Sequence, residues 1–146
     1  MEKIIIASDH AGFRLKEKLV SWLISNRYEV KDIGCFSEDS VDYPDFAHPL
    51  AEAVESGDFN FGITICGSGN GINMATNKHQ KIRSAVCWSE EISKLARSHN
   101  NANICSLPGR FLKEAEAILI VRTFLTTDFE EGRHRRRIEK IPLTES

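Results

Sequence analysis

Short apolar runs alternate with amphipathic stretches along the whole chain, and this alternation narrows the available folds more than any other feature. "KIIIAS" (residues 3–8) is short, β-branched and stopped by a polar cluster, which predicts a buried strand. The next stretch, "AGFRLKEKLVSWLISN", sets Leu15, Leu19, Trp22 and Leu23 on one helical face and leaves Arg14, Lys16, Glu17 and Lys18 to water. "YEVKDIG" (28–34), "NFGITIC" (60–66) and "IRSAVC" (82–87) predict three more strands, and "ANICSL" (102–107) a weaker fifth. Between them lie helical stretches. "PDFAHPLAEAVES" opens at Pro44, although Pro49 interrupts it and offers a second helix start. "GINMATNK" is a short helix. "SEEISKLARSHN" has Ser89 as its N-cap, with Ile92, Leu95 and Ala96 at helical spacing, and a last helix covers 112–124.

Such a pattern implies an α/β fold with a five-stranded parallel sheet covered by helices on both faces. Ligands of such sheets bind at the carboxyl ends of the strands, near a switch in strand order. Three loops qualify: Asp9-His10 after the first strand, Gly67 to Gly71 after the third, and Trp88-Ser89 after the fourth. The 146 residues suit one domain (1–146), without repeat, low-complexity tract or linker. A net charge of −2 argues against a dedicated nucleic-acid binder. No apolar run reaches membrane-spanning length, and "MEKIIIASDH" lacks the pattern of a signal peptide. Cys35, Cys66, Cys87 and Cys105 form no CxxC pair, which suits reduced thiols in a cytoplasm better than disulfides or zinc.

Chemistry concentrates in "CGSGNG". Gly67, Gly69 and Gly71 allow positive φ and close approach of amide N–H groups, and the helix that follows adds its dipole, so the turn suits an anion or a developing oxyanion. It is neither GxGxxG nor a Walker A loop, and a purely structural turn is the competing reading. Cys66 stands at its mouth. A thiol at a helix N-terminus ionises more readily than a free one and could act as nucleophile or general base, whereas Cys87 and Cys105 read as inert small hydrophobes. Of the histidines, none has a metal-binding spacing. His10 lies beside Asp9 on the ligand side, His99 closes a helix, and His48 and His79 read as surface residues. In "GRHRRR", Arg133 and Arg137 share a face if helical and could clamp a phosphate; the competing reading is a solvated basic tail.

Taken together, "SDHAGFRLK", "DYPDFA", "CGSGNGINMATNK", "CWSEEISKLARSHNNANI", "LPGR" and "EEGRHRRRI" resemble, in order and nearly end to end, the sugar-phosphate isomerase family of B-type ribose-5-phosphate isomerases and galactose-6-phosphate isomerase subunits. The resemblance implies a three-layer αβα sandwich, Rossmann-like or flavodoxin-like. It also implies aldose–ketose isomerisation of ribose 5-phosphate and ribulose 5-phosphate through a cis-enediolate, without metal or other cofactor, in the non-oxidative pentose phosphate pathway. It makes Cys66 the base, His99 the acid that opens the furanose, and Ser68 a hydroxyl near the reacting oxygens, where relatives often carry threonine. One branch of the family uses a glutamate just after the glycine loop; here that position is Ile72. The matching positions for the sugar phosphate are Asp9, His10, Tyr43, Gly67, Gly69, Asn70, Gly71, Asn100, Arg110, Arg133 and Arg137, leaving His134 and Arg136 unassigned. Members form homodimers, some paired into homotetramers, whose active sites are shared. The basic segment at about 127–146 would then reach a neighbouring subunit.

Three other readings compete. The substrate could be a six-carbon phosphosugar, allose 6-phosphate or galactose 6-phosphate. The chain could be a phosphosugar sensor without catalysis, against which Cys66, His99 and the arginines argue. It could also bind nucleic acid through "RHRRR", which has no interleaved aromatics in its favour. The expectation is therefore a cytoplasmic enzyme whose partners are a sugar phosphate and its own copies, with neither nucleic acid nor membrane.

Overall fold

In a computed structural model the described residues are 2–143; Met1 and residues 144–146, the end of the expected basic segment, lie outside them. Strand β1 (Lys3–Ser8) leads through a 3-10 turn (His10–Gly12) into α1 (Phe13–Ser25) and β2 (Glu29–Asp32). Then follow α2 (Pro44–Glu55), β3 (Phe61–Cys66), α3 (Asn70–Thr76) and β4 (Ser84–Val86). The chain continues through α4 (Glu90–Ser98), β5 (Ile104–Pro108), α5 (Glu114–Thr126) and α6 (Arg133–Ile138). All strand pairs are parallel, in the order β2-β1-β3-β5-β4.

Alternation along the strands builds the three layers. Ile4 and Ile6 point to the face covered by α1, α4 and α5, where Leu19, Leu23, Ala117, Val121 and Phe124 are buried. Ile5 and Ala7 point the other way, against Leu50, Ala51 and Val54 of α2. Because both faces are covered, the central strands are apolar throughout rather than alternating. No helix among the described residues is long and apolar enough to cross a membrane.

Four local expectations change. The stretch read as the weaker strand, β5, is wholly buried and lies inside the sheet between β3 and β4. Pro49 does not delay its helix: α2 begins at Pro44, where Ala47 N–H already bonds Tyr43 O at 3.0 Å, and Pro49 removes only one donor near the start. Lys16 is not left to water but fully buried. It shares the inward stripe of α1 with Leu19 and Leu23, and its Nζ reaches Asp32 at 2.6 Å and Glu17 at 2.9 Å. Nor are His48 and His79 simple surface residues. Both are half-buried, with His48 Nδ1 2.8 Å from His79 Nε2 and Glu55 3.3 Å from the far side of His79.

Candidate active site

The chain adds β2 on one side of β1 and β3 on the other, so the switch in strand order falls between β1 and β3. At the carboxyl ends of these two strands opens a cleft of about 490 Å³ lined by Asp9, Tyr43, Cys66, Gly67, Ser68, Gly71, Arg110 and Phe111. Pairing of Ser8 with Ile65 sets Asp9 and Cys66 beside each other in register, and Asp9 N–H bonds Ile65 O at 3.1 Å.

Asp9 is buried because it caps the 3-10 turn: its Oδ1 accepts from Ala11 N–H at 3.0 Å and Gly12 N–H at 3.2 Å. Both bonds fall on one oxygen, so Oδ2 is the oxygen left for a ligand in the cleft. His10 Nδ1 accepts from Val41 N–H at 3.2 Å, which puts its proton on Nε2 and ties the 3-10 turn to the loop before Tyr43.

Cys66 ends β3 with 5% of its surface exposed, packed against Ala47, Ala75 and the fully buried Ile72. Gly69 holds φ of +77°, a backbone conformation that costs glycine nothing and turns the chain into α3. Gly71 permits the closest approach, since a Cβ there would lie 2.6 Å from the Tyr43 ring; the bare backbone lets that ring line the cleft. Ser68 and Asn70 are exposed on the turn, where Ser68 Oγ accepts from Asn70 N–H at 3.3 Å. The loop after β5 is fastened to the same turn: Gly109 N–H bonds Cys66 O at 2.8 Å and Arg110 N–H bonds Gly67 O at 3.0 Å, so the Arg110 guanidinium lies over Gly67.

The Trp88-Ser89 loop, the third site loop expected from sequence, does not join this cleft. β4 is the edge strand, so its carboxyl end lies one strand too far out; β5 takes the inner place and supplies Arg110. Nothing in the order of elements along the chain reveals that exchange, because connections of similar length would allow either order.

The remaining expected residues gather at the opposite end of the sheet. α4 runs back from the carboxyl end of β4, so His99 at its C-terminus, with Asn100, sits near the strands' amino ends. There Arg83 donates to Asn100 O at 3.0 Å and Gly62 N–H bonds Asn103 O at 2.9 Å. The segment after α5 returns to this place, with Glu130 N–H bonding Ser98 O at 2.9 Å, and α6 then carries exposed Arg133 and Arg137. The six-residue β3 between the two ends spans about 20 Å. The expected residues thus form two half-sites. Asp9, His10, Tyr43, the glycine turn, Cys66, Ser68 and Arg110 make one, and His99, Asn100, Arg133 and Arg137 the other. Sequence reasoning left out Phe111 of the cleft, which the "LPGRF" turn brings in beside Arg110.

A parallel αβα sandwich with a thiol, a carboxylate and a glycine-rich turn at its switch point defines an α/β enzyme for a small polar, anionic substrate. The chain belongs to the Ribose/Galactose Isomerase family, whose model matches residues 4–141. It is 44% identical over 140 residues to the probable ribose-5-phosphate isomerase B of Mycoplasma genitalium, covering 94% of this chain and 92% of that one. To the Escherichia coli ribose-5-phosphate isomerase B it is 39% identical over 145 residues, 99% and 97% of the two chains. Among solved structures, the ribose 5-phosphate isomerase of Thermotoga maritima superposes with a TM-score of 0.95 at 50% identity, covering 97% of both chains. The Mycoplasma genitalium enzyme with bound ribulose-5-phosphate gives 0.91 at 44% identity, covering 95% and 93%.

Proposed function

We infer that this chain is an isomerase that interconverts ribose 5-phosphate and ribulose 5-phosphate, with Cys66 as its proton-transfer base. The observation that carries the reading is the seat of the Cys66 thiol, between the Asp9 carboxylate and the glycine turn in the cleft. A relative of the same fold, 44% identical, binds ribulose-5-phosphate.

The reaction has two stages. The ribofuranose opens when His99 gives a proton to the ring oxygen; the C1–O bond breaks with its electron pair on that oxygen, and the 1-hydroxyl yields its proton to water as C1 becomes the aldehyde. The Cys66 thiolate then removes the proton on C2, and the charge moves onto O1 of a cis-enediolate beside the amides of residues 67–71 and the Ser68 hydroxyl. Transfer of the O2 proton to O1 and return of the proton from sulfur to C1 leave the ketone at C2. Ile72 cannot share this work: it is apolar and fully buried.

Cys66 and His99 stand at opposite ends of one sheet, so a complete site takes its thiol from one copy and its imidazole, Asn100, Arg133 and Arg137 from another. This favours a homodimer with shared sites, and exposed Trp88, Phe111 and Met74 offer apolar surface to a second copy. Arg133 and Arg137 supply guanidinium groups suited to a phosphate.

Proton NMR of ribose 5-phosphate with the protein in heavy water, beside a Cys66→Ala variant, tests the reading. Ribulose 5-phosphate carrying solvent deuterium is expected with wild type and not with the variant. Full activity in the variant would overturn the thiol's role. No turnover by wild type would overturn the substrate, and allose 6-phosphate and galactose 6-phosphate are then the phosphosugars to assay.

A further inference from the structure

At the far half-site three side chains lie together that the reaction above leaves unused or uses singly. His99 and His134 stack nearly parallel, ring centroids 4.3 Å apart at 12°. Glu130 Oε2 stands 3.7 Å from His99 Nε2 and 3.6 Å from His134 Nε2. His134 is only 14% exposed, whereas His99 keeps 42% of its side chain open to a ligand. The arrangement is held from both sides, because Glu130 N–H is fastened to Ser98 O at the end of α4 and His134 lies in the first turn of α6, four residues after Glu130.

His99 Nε2, His134 Nε2 and a Glu130 carboxylate oxygen lie within 4.8 Å of one another, with the two rings stacked and the carboxylate facing both nitrogens. What the geometry supplies is orientation. Left alone, an imidazole at a helix C-terminus rotates about two side-chain bonds. Here the His134 ring fixes the plane and the carboxylate fixes which edge faces inward.

We propose that Glu130 is a positioning residue for His99, holding the imidazole through Nε2 against the His134 plate so that its Nδ1–H is presented to the ring oxygen of a furanose bound at another copy's Cys66. The inference rests on the isomerase reading given above. It assigns Glu130 to ring opening alone, the step in which His99 gives its proton and the C1–O bond breaks, and not to transfer between C2 and C1.

The two substrates separate those steps. Ribose 5-phosphate is mostly a furanose and must be opened, whereas ribulose 5-phosphate, with O5 esterified, has no five-membered ring to open. Exchange of its C1 proton with solvent therefore needs Cys66 but not ring opening. In Glu130→Gln, turnover of ribose 5-phosphate is expected to fall about tenfold in kcat with little change in KM. Deuterium uptake at C1 of ribulose 5-phosphate should stay within about twofold of wild type. Glu130→Asp, which keeps the charge on a shorter arm, should recover part of the loss. Equal losses in both assays would overturn the proposal by marking a general effect on the fold or assembly, and unchanged ribose 5-phosphate turnover would overturn it outright. Failure of the isomerase reading would look different: wild type itself would then turn over neither sugar.

Discussion

Cys66 closes β3 at the carboxyl end of the sheet, while His99 caps α4 near the strands' amino ends, so one copy of the chain holds this thiol and this imidazole at opposite ends of one sheet. The parallel crossover causes this. A helix that follows a parallel strand returns the chain to the starting edge, and α4 ends where it must.

Subunit mixing follows directly. Cys66→Ala and His99→Gln should each be nearly inactive alone. Mixed and reassorted in equal amounts, they should recover about a quarter of wild-type activity, because half the dimers are heterodimers and each of those has one intact site. Steady-state turnover after mild dissociation and reassociation measures it; no recovery despite exchange of labelled subunits would place both groups of a site in one chain.

Much of the first half-site is legible in the sequence. A strand ending in "CGSGNG" fixes where Cys66 and the turn must sit, because a parallel strand delivers its last residue to the ligand edge whatever its neighbours are. Neighbour order is not written so locally, and the misplaced Trp88 loop is the result. Lys16 shows a readable signal that composition obscured: with Leu19 and Leu23 it falls on an i, i+3, i+7 stripe, and only its charge argued for water. The four-residue spacing of Glu130 and His134 is visible in the chain, but their meeting with each other and with His99 depends on the bend at residues 131–132 and on the return of the segment after α5.

Lys16 is the next prediction. Its Nζ, fully buried, is held by Asp32 at 2.6 Å and sits 5.1 Å from the Phe36 ring centroid. Asp32 also accepts from Gly34 N–H at 2.9 Å, so the pair anchors the end of β2. Lys16→Met should cost about 3–5 kcal/mol by leaving Asp32 uncompensated. Adding Asp32→Asn, which keeps the acceptor for Gly34, should return part of that loss. Urea denaturation of wild type, Lys16→Met, Asp32→Asn and the double variant decides it, and a double variant worse than the sum of the singles would refute the pairing argument.

A hydroxyl ladder crosses the sheet beneath the glycine turn. Thr64 Oγ1 and Ser106 Oγ are 2.6 Å apart and fully buried, Ser84 Oγ lies 3.0 Å from Ser106 Oγ, and Ser84 donates to Asn73 Oδ1 of α3 at 2.6 Å. Ser106→Ala removes the middle rung and leaves Thr64 without its partner, an expected loss of about 1–3 kcal/mol. Since Asn73 seats α3, the turn before it should loosen as well. Faster amide hydrogen exchange at residues 69–76 in the variant would report that coupling, and unaltered exchange with an unaltered melting temperature would dismiss it.

Cys105 gives the pH dependence. Burial first, then the neighbouring Cys87, raises its thiol pKa well above the ordinary value, so the folded protein holds this proton more tightly than the unfolded chain does. A group raised in the folded state contributes stability that is fully present below the unfolded pKa and is lost as pH rises towards the folded one. With an unfolded thiol near pH 8.5, the loss approaches about 1.4 kcal/mol per pH unit above that point. Cys105→Ala should be less stable at pH 7, because it leaves a small cavity beside Cys87, yet its stability should fall less steeply. Between pH 8.5 and 10 the wild type should lose about 1.5 kcal/mol more than the variant, read from urea titrations at each pH under reducing conditions. Parallel curves would mean that the thiol ionises as readily in the folded core as in the unfolded chain, which a fully buried residue beside another buried thiol cannot do without water reaching both.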